Sequence, residues 1–268
     1  MFLLSFAESF LAWLASTGLP ALAGLILALA IGKYLKPRYF LAFSLGVILW
    51  VFTDVIDDAA KLDVNASFSG SWEQLIIVVF FVLATVAFIA LDPSVFSPGT
   101  SKVGLAVPLL IAIAIGIHGL GEGAAFGEVS STTSFSSLVT AFGGEASGAA
   151  YVLHKFLESM AIGAGYLAFT GGQTFSARTR ARDIGFLTLA LVLPSVAAMT
   201  AGYYIEYNVV YFYALGSGAL LFVILKLVGP LFTTERVEGP HDSLKMGAWL
   251  LAGLLCVYIA ALLHSYVP

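Results

Sequence analysis

Long apolar stretches dominate this chain, and only short polar segments separate them. A helix of roughly 20 apolar residues crosses a hydrocarbon core about 30 Å thick, and the chain has room for eight such helices. The first stretch lacks a basic flank and an obvious cleavage site, so we expect it to be retained. We predict an all-α polytopic membrane protein, with residues 1–268 as one transmembrane domain. The predicted spans lie at about 9–33, 38–60, 72–91, 103–127, 145–170, 183–207, 209–230 and 244–265.

Composition agrees with a membrane protein and excludes several classes of function. The chain is 60% hydrophobic and 10% charged, with a mean hydropathy of +0.98. Its single cysteine, Cys256, excludes a disulfide framework and any cysteine-based metal cluster. No basic patch of the kind that binds nucleic acid is present, and no nucleotide-binding motif supports coupling to ATP.

Basic residues divide unevenly between the two sides of the predicted bundle. Cytoplasmic loops accumulate Lys and Arg, and one side receives nine of them whereas the other receives only Lys61. We therefore expect a protein of the plasma membrane with both termini outside the cytoplasm. Lys155 and Lys226 fall within spans, and we expect Lys226 to snorkel to the cytoplasmic surface. The nine residues on one side are Lys33, Lys36, Arg38, Lys102, Arg178, Arg180, Arg182, Arg236 and Lys245.

The opposite side is acidic, most clearly where the second span ends. Asp54 and Asp58 share a helix face there, and Asp57 lies beside Asp54. These carboxylates are candidates for a metal entrance, because clustered negative charge concentrates cations. The alternative is a solvated helix end on a side that simply avoids positive charge.

The most informative pattern is His-x-x-x-Glu, which occurs twice: His118 with Glu122 on span four, and His154 with Glu158 on span five. Residues four apart share one helix face. Both histidines lie about nine residues from the acidic end, roughly 13 Å deep, on antiparallel spans. Ionisable groups are expensive inside a membrane and mark substrate paths or bound ions. Two His and two carboxylates suit a divalent metal; the alternative is a pair of histidines that merely hydrogen-bond to neighbouring helices.

Two internal repeats accompany this pattern. Spans four and five align at an offset of 36, whereas spans two and seven align at an offset of 172, for example Tyr39 with Tyr211 and Gly46 with Gly218. Spans two and seven run in opposite directions, so the second pair predicts an inverted repeat, a frequent construction in secondary transporters. Gly119, Gly123 and Gly127 form a stripe that would let another helix approach span four closely.

Three motifs of this chain resemble those of the ZIP (Zrt/Irt-like) metal transporters. The resemblance rests on Gly46-Val47-Ile48-Leu49 before Asp54-x-x-Asp57-Asp58-Ala59, on His118-Gly119-Leu120-Gly121-Glu122-Gly123, and on His154-Lys155-Phe156-Leu157-Glu158-Ser159. It implies eight helices in a 3+2+3 inverted-repeat arrangement around helices four and five. It also implies a metal site formed by His118, Glu122, His154 and Glu158, and it suggests a homodimer.

Two departures from the family pattern affect the number of metals. The residues after the two histidines, which help to bind a second metal in two-metal members, are Gly119 and Lys155 here. We expect span six to supply no carboxylate ligand before Glu206 at its outer end. We infer that Lys155 replaces the second metal and leaves a mononuclear site. Because a buried ammonium needs a partner, we expect Lys155 to pair with Glu122 or Glu158; the alternative is that it snorkels.

The predicted function is transport of Zn²⁺, or of Fe²⁺, Mn²⁺ or Cd²⁺, into the cytoplasm, with the metal as substrate and no organic cofactor. Metal binding needs neutral imidazoles and ionised carboxylates, so uptake should weaken as pH falls. One alternative is an intramembrane metal-dependent hydrolase, although His-Glu-x-x-His is missing. Another is a metal sensor without transport. His241 and His264 are not assigned to metal.

Overall fold

The chain folds into a bundle of long helices in the computed structural model. The structure describes residues 3–32, 34–59, 72–92, 104–134, 144–170, 176–206, 208–233 and 240–264. Within these residues all regular secondary structure is helical. The prediction of an all-α chain is confirmed. The helices are α1 (Phe6–Ile31), α2 (Pro37–Ala59), α3 (Trp72–Leu91), α4 (Ala106–Thr132), α5 (Gly144–Phe169), α6 (Ala177–Tyr204), α7 (Val210–Thr233) and α8 (Pro240–His264).

Seven of these helices are long and apolar enough to cross a membrane, which leaves α5 as the exception among the described residues. Helix α5 has 26 residues, so its length suffices at about 1.5 Å per residue. Its apolar character is interrupted by Lys155 and Glu158, which belong to the candidate metal centre. The coarse prediction of a multi-pass membrane protein therefore holds.

Local signals account for the ends and irregularities of two helices. Ser5 caps α1 in a capping box: the Glu8 amide donates to Ser5 Oγ at 3.3 Å, and the Ser5 amide donates to Glu8 Oε2 at 2.8 Å. Helix α1 then contains a π-helical turn at Leu14–Gly18, a feature found frequently at functional sites. Ser176 caps α6 by accepting from the Thr179 amide. Helix α6 begins six residues before its predicted start, and Arg178, Arg180 and Arg182 lie in its first turns rather than in a loop.

Close helix pairs build the bundle around α4. The most extensive contact joins α4 to α6, and α4 also packs on α5 and α7. The predicted glycine stripe lies at the α4–α6 interface, as expected: a Cβ at Gly123 or Gly127 would overlap a backbone carbonyl oxygen of α6. From the other side of the interface, a Cβ at Gly202 of α6 would overlap the Ala124 carbonyl oxygen of α4. Small residues thus bring the two backbones together, as is common for helices in membranes.

Buried ion pairs join helices elsewhere in the bundle. Arg38, predicted at the cytoplasmic start of span two, is in the first turn of α2, where its Nη1 lies 2.5 Å from Asp242 Oδ2 of α8. Tyr39 donates to the other oxygen of Asp242 at 2.6 Å. Lys226, which we expected to snorkel to the cytoplasmic surface, has its Nζ 2.5 Å from Asp92 Oδ2, just after the end of α3, and 16% of its side chain is exposed. A partner from another helix stabilises each buried charge.

Candidate metal centre

The two His-x-x-x-Glu segments meet at the contact between α4 and α5. His118 and Glu122 project from α4, and His154 and Glu158 project from α5. The two imidazole rings are nearly parallel, at an interplanar angle of 12°, and their centroids are 6.2 Å apart. Both segments are helical, so their four-residue spacing places each His and Glu on one face. The predicted convergence of these side chains is confirmed.

Glu158 lies between the two histidines and uses both of its oxygens. Its Oε1 is 2.8 Å from His118 Nε2 and 2.9 Å from His154 Nε2, whereas its Oε2 accepts from Lys155 Nζ at 2.7 Å. The His154 contact has hydrogen-bond geometry, with the ring N–H donating to the carboxylate. Only 1% of Glu158 is exposed. It is therefore the residue that links the imidazoles to the lysine.

His118 is buried without a hydrogen bond to either ring nitrogen, although only 1% of the residue is exposed. Its Nε2 is close to Glu158, but the ring N–H direction is not aligned with that oxygen. Buried polar atoms are nearly always hydrogen-bonded, and an exception needs an explanation. A structural histidine that merely ties helices together would have such a bond. An imidazole that coordinates a metal uses the lone pair of one ring nitrogen for the ion, which would account for one of these two nitrogens.

Three of the predicted ligands already form a compact group. Ligand atoms of His118, Glu122 and His154 all lie within 4.8 Å of one another. Neighbouring ligands of a tetrahedral Zn²⁺ are about 3.4 Å apart, given metal–ligand distances near 2.1 Å. Side-chain shifts of about 1 Å would thus bring these atoms onto one ion. Glu158 contacts both imidazoles and is adjacent to that position.

Lys155 places a positive charge between the two glutamates. Its Nζ pairs with Glu122 Oε2 as well as with Glu158, and 5% of the residue is exposed. The expected pairing is confirmed, and it involves both carboxylates. The ring of Tyr151, one turn earlier on α5, lies 5.7 Å from the same Nζ. The Tyr151 hydroxyl is in turn 3.0 Å from Thr17 Oγ1, in the π-helical turn of α1.

A cavity of about 370 Å³ gives access to one side of this cluster. Asp54 lines this cavity together with Glu122 and His154, so one cavity joins the carboxylate predicted at the entrance to two of the predicted ligands. The Trp50 ring meets the His154 imidazole edge to face, with centroids 6.4 Å apart. Asp57 is exposed nearby on α2, and the Asp58 side chain lies outside the described residues. The other lining residues are Ala125, Phe126, Ala150, Tyr151, Tyr213, Val257, Tyr258, Ala260, Ala261 and Leu262.

The other side of the cluster is closed by apolar packing. Ile111 and Ile115 precede His118 on α4, and Ile162 follows Glu158 on α5, so all three lie away from the cavity. Each is 1% exposed or less. A Cβ at Gly165 would meet Ile111 Cδ1 at 3.1 Å, which shows how closely α5 packs against α4 there. Among the described residues, buried isoleucines thus close the side of the cluster that faces away from this cavity.

The region around Gly119, where a second metal would be expected, has little space and few ligands. A cavity of about 20 Å³ lies there, lined by Gly119, Lys155, Glu158, Thr17 and Ser195 among others. That volume holds about one water molecule. Ser195 Oγ accepts from the indole N–H of Trp13 at 3.2 Å. Glu158, which already binds Lys155, is the carboxylate on this lining.

Sequence reasoning did not identify several residues around the centre. Tyr151 had a detectable signal, since it stands four residues before Lys155 on the same helix. Thr17 and Trp13 had none, because their partners are more than 130 residues away. A carboxylate at the start of α6 was also overlooked: Asp183 is buried and accepts from the Tyr166 hydroxyl at 2.9 Å.

Comparison with known proteins adds no relative to this picture. No protein-family model matches the chain, and no curated protein is similar to it in sequence. The chain is a helical protein of membrane-spanning type in which His118, Glu122 and His154 form a group suited to a metal ion.

Proposed function

We propose that this chain is a ZIP-like transporter that moves divalent transition-metal ions, Zn²⁺ foremost, into the cytoplasm through a mononuclear site. The observation that carries the proposal is the group formed by His118, Glu122 and His154, whose ligand atoms lie within 4.8 Å of one another beside a cavity that Asp54 also lines. Fe²⁺, Mn²⁺ and Cd²⁺ are further candidates for the same ligands. The resemblance further suggests eight spans with both termini outside the cytoplasm, the 3+2+3 inverted repeat, and a homodimer.

The ion enters the cavity from the outer face, where Asp54 attracts it. It exchanges water for His118, Glu122 and His154, with Glu158 as the fourth ligand. The imidazole nitrogens bind as neutral donors, so any proton on the coordinating nitrogen leaves as the metal binds. Packing of Ile111, Ile115 and Ile162 closes the inner side, so delivery to the cytoplasm requires α4 and α5 to rearrange.

One metal fits the site better than two. Lys155 already supplies a cation to both glutamates, and the space near Gly119 accommodates about one water molecule. The electrostatic role of a second metal, to offset two buried carboxylates, is therefore filled by the protein itself.

Zn²⁺ entry into liposomes containing the purified protein tests the proposal. We expect Glu122→Ala and Glu158→Ala to reduce entry by more than about a hundredfold, since even outer-shell partners of metal ligands contribute about 10- to 100-fold. Glu73→Ala, an exposed glutamate in the first turn of α3, is the control and should transport normally. Entry that persists in both site variants would contradict the assignment of this site. Zn²⁺ binding without entry would favour a sensor, and lipid or peptide cleavage would favour a hydrolase.

Asp54→Asn should raise the KM for Zn²⁺ about tenfold and leave the maximal rate unchanged, because the carboxylate attracts the ion before it reaches the ligands. The exposed Asp57→Asn should have a smaller effect, since water and salt screen an exposed charge. Initial rates of Zn²⁺ entry over a range of concentrations measure both parameters. A lower maximal rate at an unchanged KM in Asp54→Asn would show that Asp54 acts later than capture.

A further inference from the structure

Lys155 has a position that a merely structural lysine would not require. Its ammonium lies among the proposed ligands, paired with Glu122 and 2.7 Å from Glu158 Oε2. Both of these carboxylates are proposed to bind the transported ion. The metal and Lys155 are therefore two cations that share the same two carboxylates.

The shared carboxylates matter because a carrier returns after it releases its ion. The cavity opens on one side of the site, and buried isoleucines close the other, so the site must change its exposure in every cycle. When the metal is bound, it offsets the charge of Glu122 and Glu158. After release, two buried carboxylates without a cation would be very unfavourable in a low-dielectric interior.

We infer that Lys155 is the internal counter-cation of the return step: after the metal has left, its charge offsets one of the two negative charges of Glu122 and Glu158, so no ion has to be carried back. This inference rests on the proposed function. In an exchanger, a counter-transported cation compensates the charge of the empty site during the return step; here the Lys155 side chain does so. Net uptake of metal then proceeds by itself, down the electrochemical gradient of the metal.

Tyr151 gives the ammonium a second favourable surface beside the carboxylates. Its ring lies 5.7 Å from Lys155 Nζ, within the range of a cation–π contact. Thr17 Oγ1 lies 3.0 Å from the Tyr151 hydroxyl and holds the ring in place from α1. When a metal binds to the carboxylates, the Lys155 ammonium can thus move away from them and keep its contact with the Tyr151 ring.

Two transport assays on the same proteoliposomes separate the return step from the loaded step. Exchange of labelled external Zn²⁺ for unlabelled internal Zn²⁺ requires the loaded site alone to move, whereas net uptake into Zn²⁺-free vesicles also requires the return. We expect Lys155→Met to lower net uptake, relative to exchange, by roughly a hundredfold or more. Lys155→Gln, which keeps hydrogen-bonding capacity without the charge, should behave in the same way and serves if Lys155→Met does not fold.

Two further variants serve as controls. Lys155→Arg keeps the positive charge, and its ratio of net uptake to exchange should stay close to that of the wild type. Lys226→Met removes a lysine that pairs with Asp92 outside the metal centre, and it should lower stability without changing that ratio. A loss of net uptake and exchange in equal proportion in the Lys155 variants, or of neither, would overturn the inference.

A measurement on the wild type is independent of any variant. Without a counter-transported ion, two positive charges should enter with each Zn²⁺, measured as current and Zn²⁺ flux in the same vesicles. Fewer charges per Zn²⁺, or uptake that stops without a cation inside, would show that another ion performs the return. If the wild type catalyses neither exchange nor uptake, the proposed function itself fails.

Discussion

His118→Leu should abolish the stabilisation of the protein by Zn²⁺ while leaving its stability without metal nearly unchanged. His118 Nε2 lies 2.8 Å from Glu158 Oε1 without hydrogen-bond geometry, and Glu158 keeps its hydrogen bonds to His154 and Lys155, so an apolar side chain of similar size loses little when it replaces the ring. We expect the free energy of unfolding to change by less than about 1 kcal/mol. In the wild type, free Zn²⁺ at about 100 times its Kd should add about 2.7 kcal/mol, and in the variant it should add nothing measurable.

Thermal unfolding in detergent, with and without Zn²⁺, measures both quantities. His241→Leu is the matched control, because His241 is exposed at the start of α8 and lies outside the metal centre. That variant should retain the full response to Zn²⁺. A large loss of stability in metal-free His118→Leu would instead identify His118 as a structural histidine.

Gly123→Ala should destabilise the protein by about 2–3 kcal/mol and weaken Zn²⁺ binding at the same time. The new methyl group would overlap the Ser195 carbonyl oxygen and lie 3.0 Å from Ser195 Oγ, so α4 and α6 must move apart. Gly123 directly follows Glu122, so this movement displaces a proposed ligand. Thermal unfolding and Zn²⁺ titration together detect the two effects.

The control for this substitution has the opposite expected sign. Gly185→Ala lies on α6, where a Cβ would meet nothing within 4 Å. Alanine favours a helix over glycine by about 0.5–1 kcal/mol, so this variant should be slightly more stable than the wild type. Equal destabilisation by the two substitutions would show that the close contact at Gly123 does not limit stability.

The sequence sufficed for those features that depend on neighbouring residues. Long apolar stretches predicted the helices, and the four-residue spacing predicted that His118 and Glu122 share a face. The glycine stripe predicted a close helix contact, although the partner α6 was not identified. Each of these signals is contained within one segment of the chain.

Features that depend on distant partners escaped sequence reasoning. Sequence reasoning did not find the partner of Lys226, because Asp92, 134 residues earlier, lies beside it only in the fold. The partner of Arg38 was missed as well, since Asp242 is distant in sequence. The π-helical turn at Leu14–Gly18 also has no local signature, yet it positions Thr17 against Tyr151.

The two copies of the His-x-x-x-Glu pattern have diverged in role. In the sequence the two copies are equivalent and are related by an offset of 36 residues. In the fold, Glu158 contacts both imidazoles and the lysine, while Glu122 lines the cavity. His154 has a hydrogen bond, and His118 has none. The asymmetry follows from Lys155, which occupies one side of the cluster and has Gly119 as its counterpart on α4.

Because the helices differ in length, the arrangement of the bundle should depend on the thickness of the bilayer. Helix α3 has 20 residues, about 30 Å, which matches the hydrocarbon core, whereas α6 has 28 residues, about 42 Å, and must tilt or protrude. Most side chains of helix α3 are exposed, and the helix packs on α7, which places Tyr213 on the cavity wall. A bilayer with a core thinner than about 30 Å would tilt α3 and press on α7. The lipids surrounding the protein would adjust the mouth of the cavity before they reach the metal ligands.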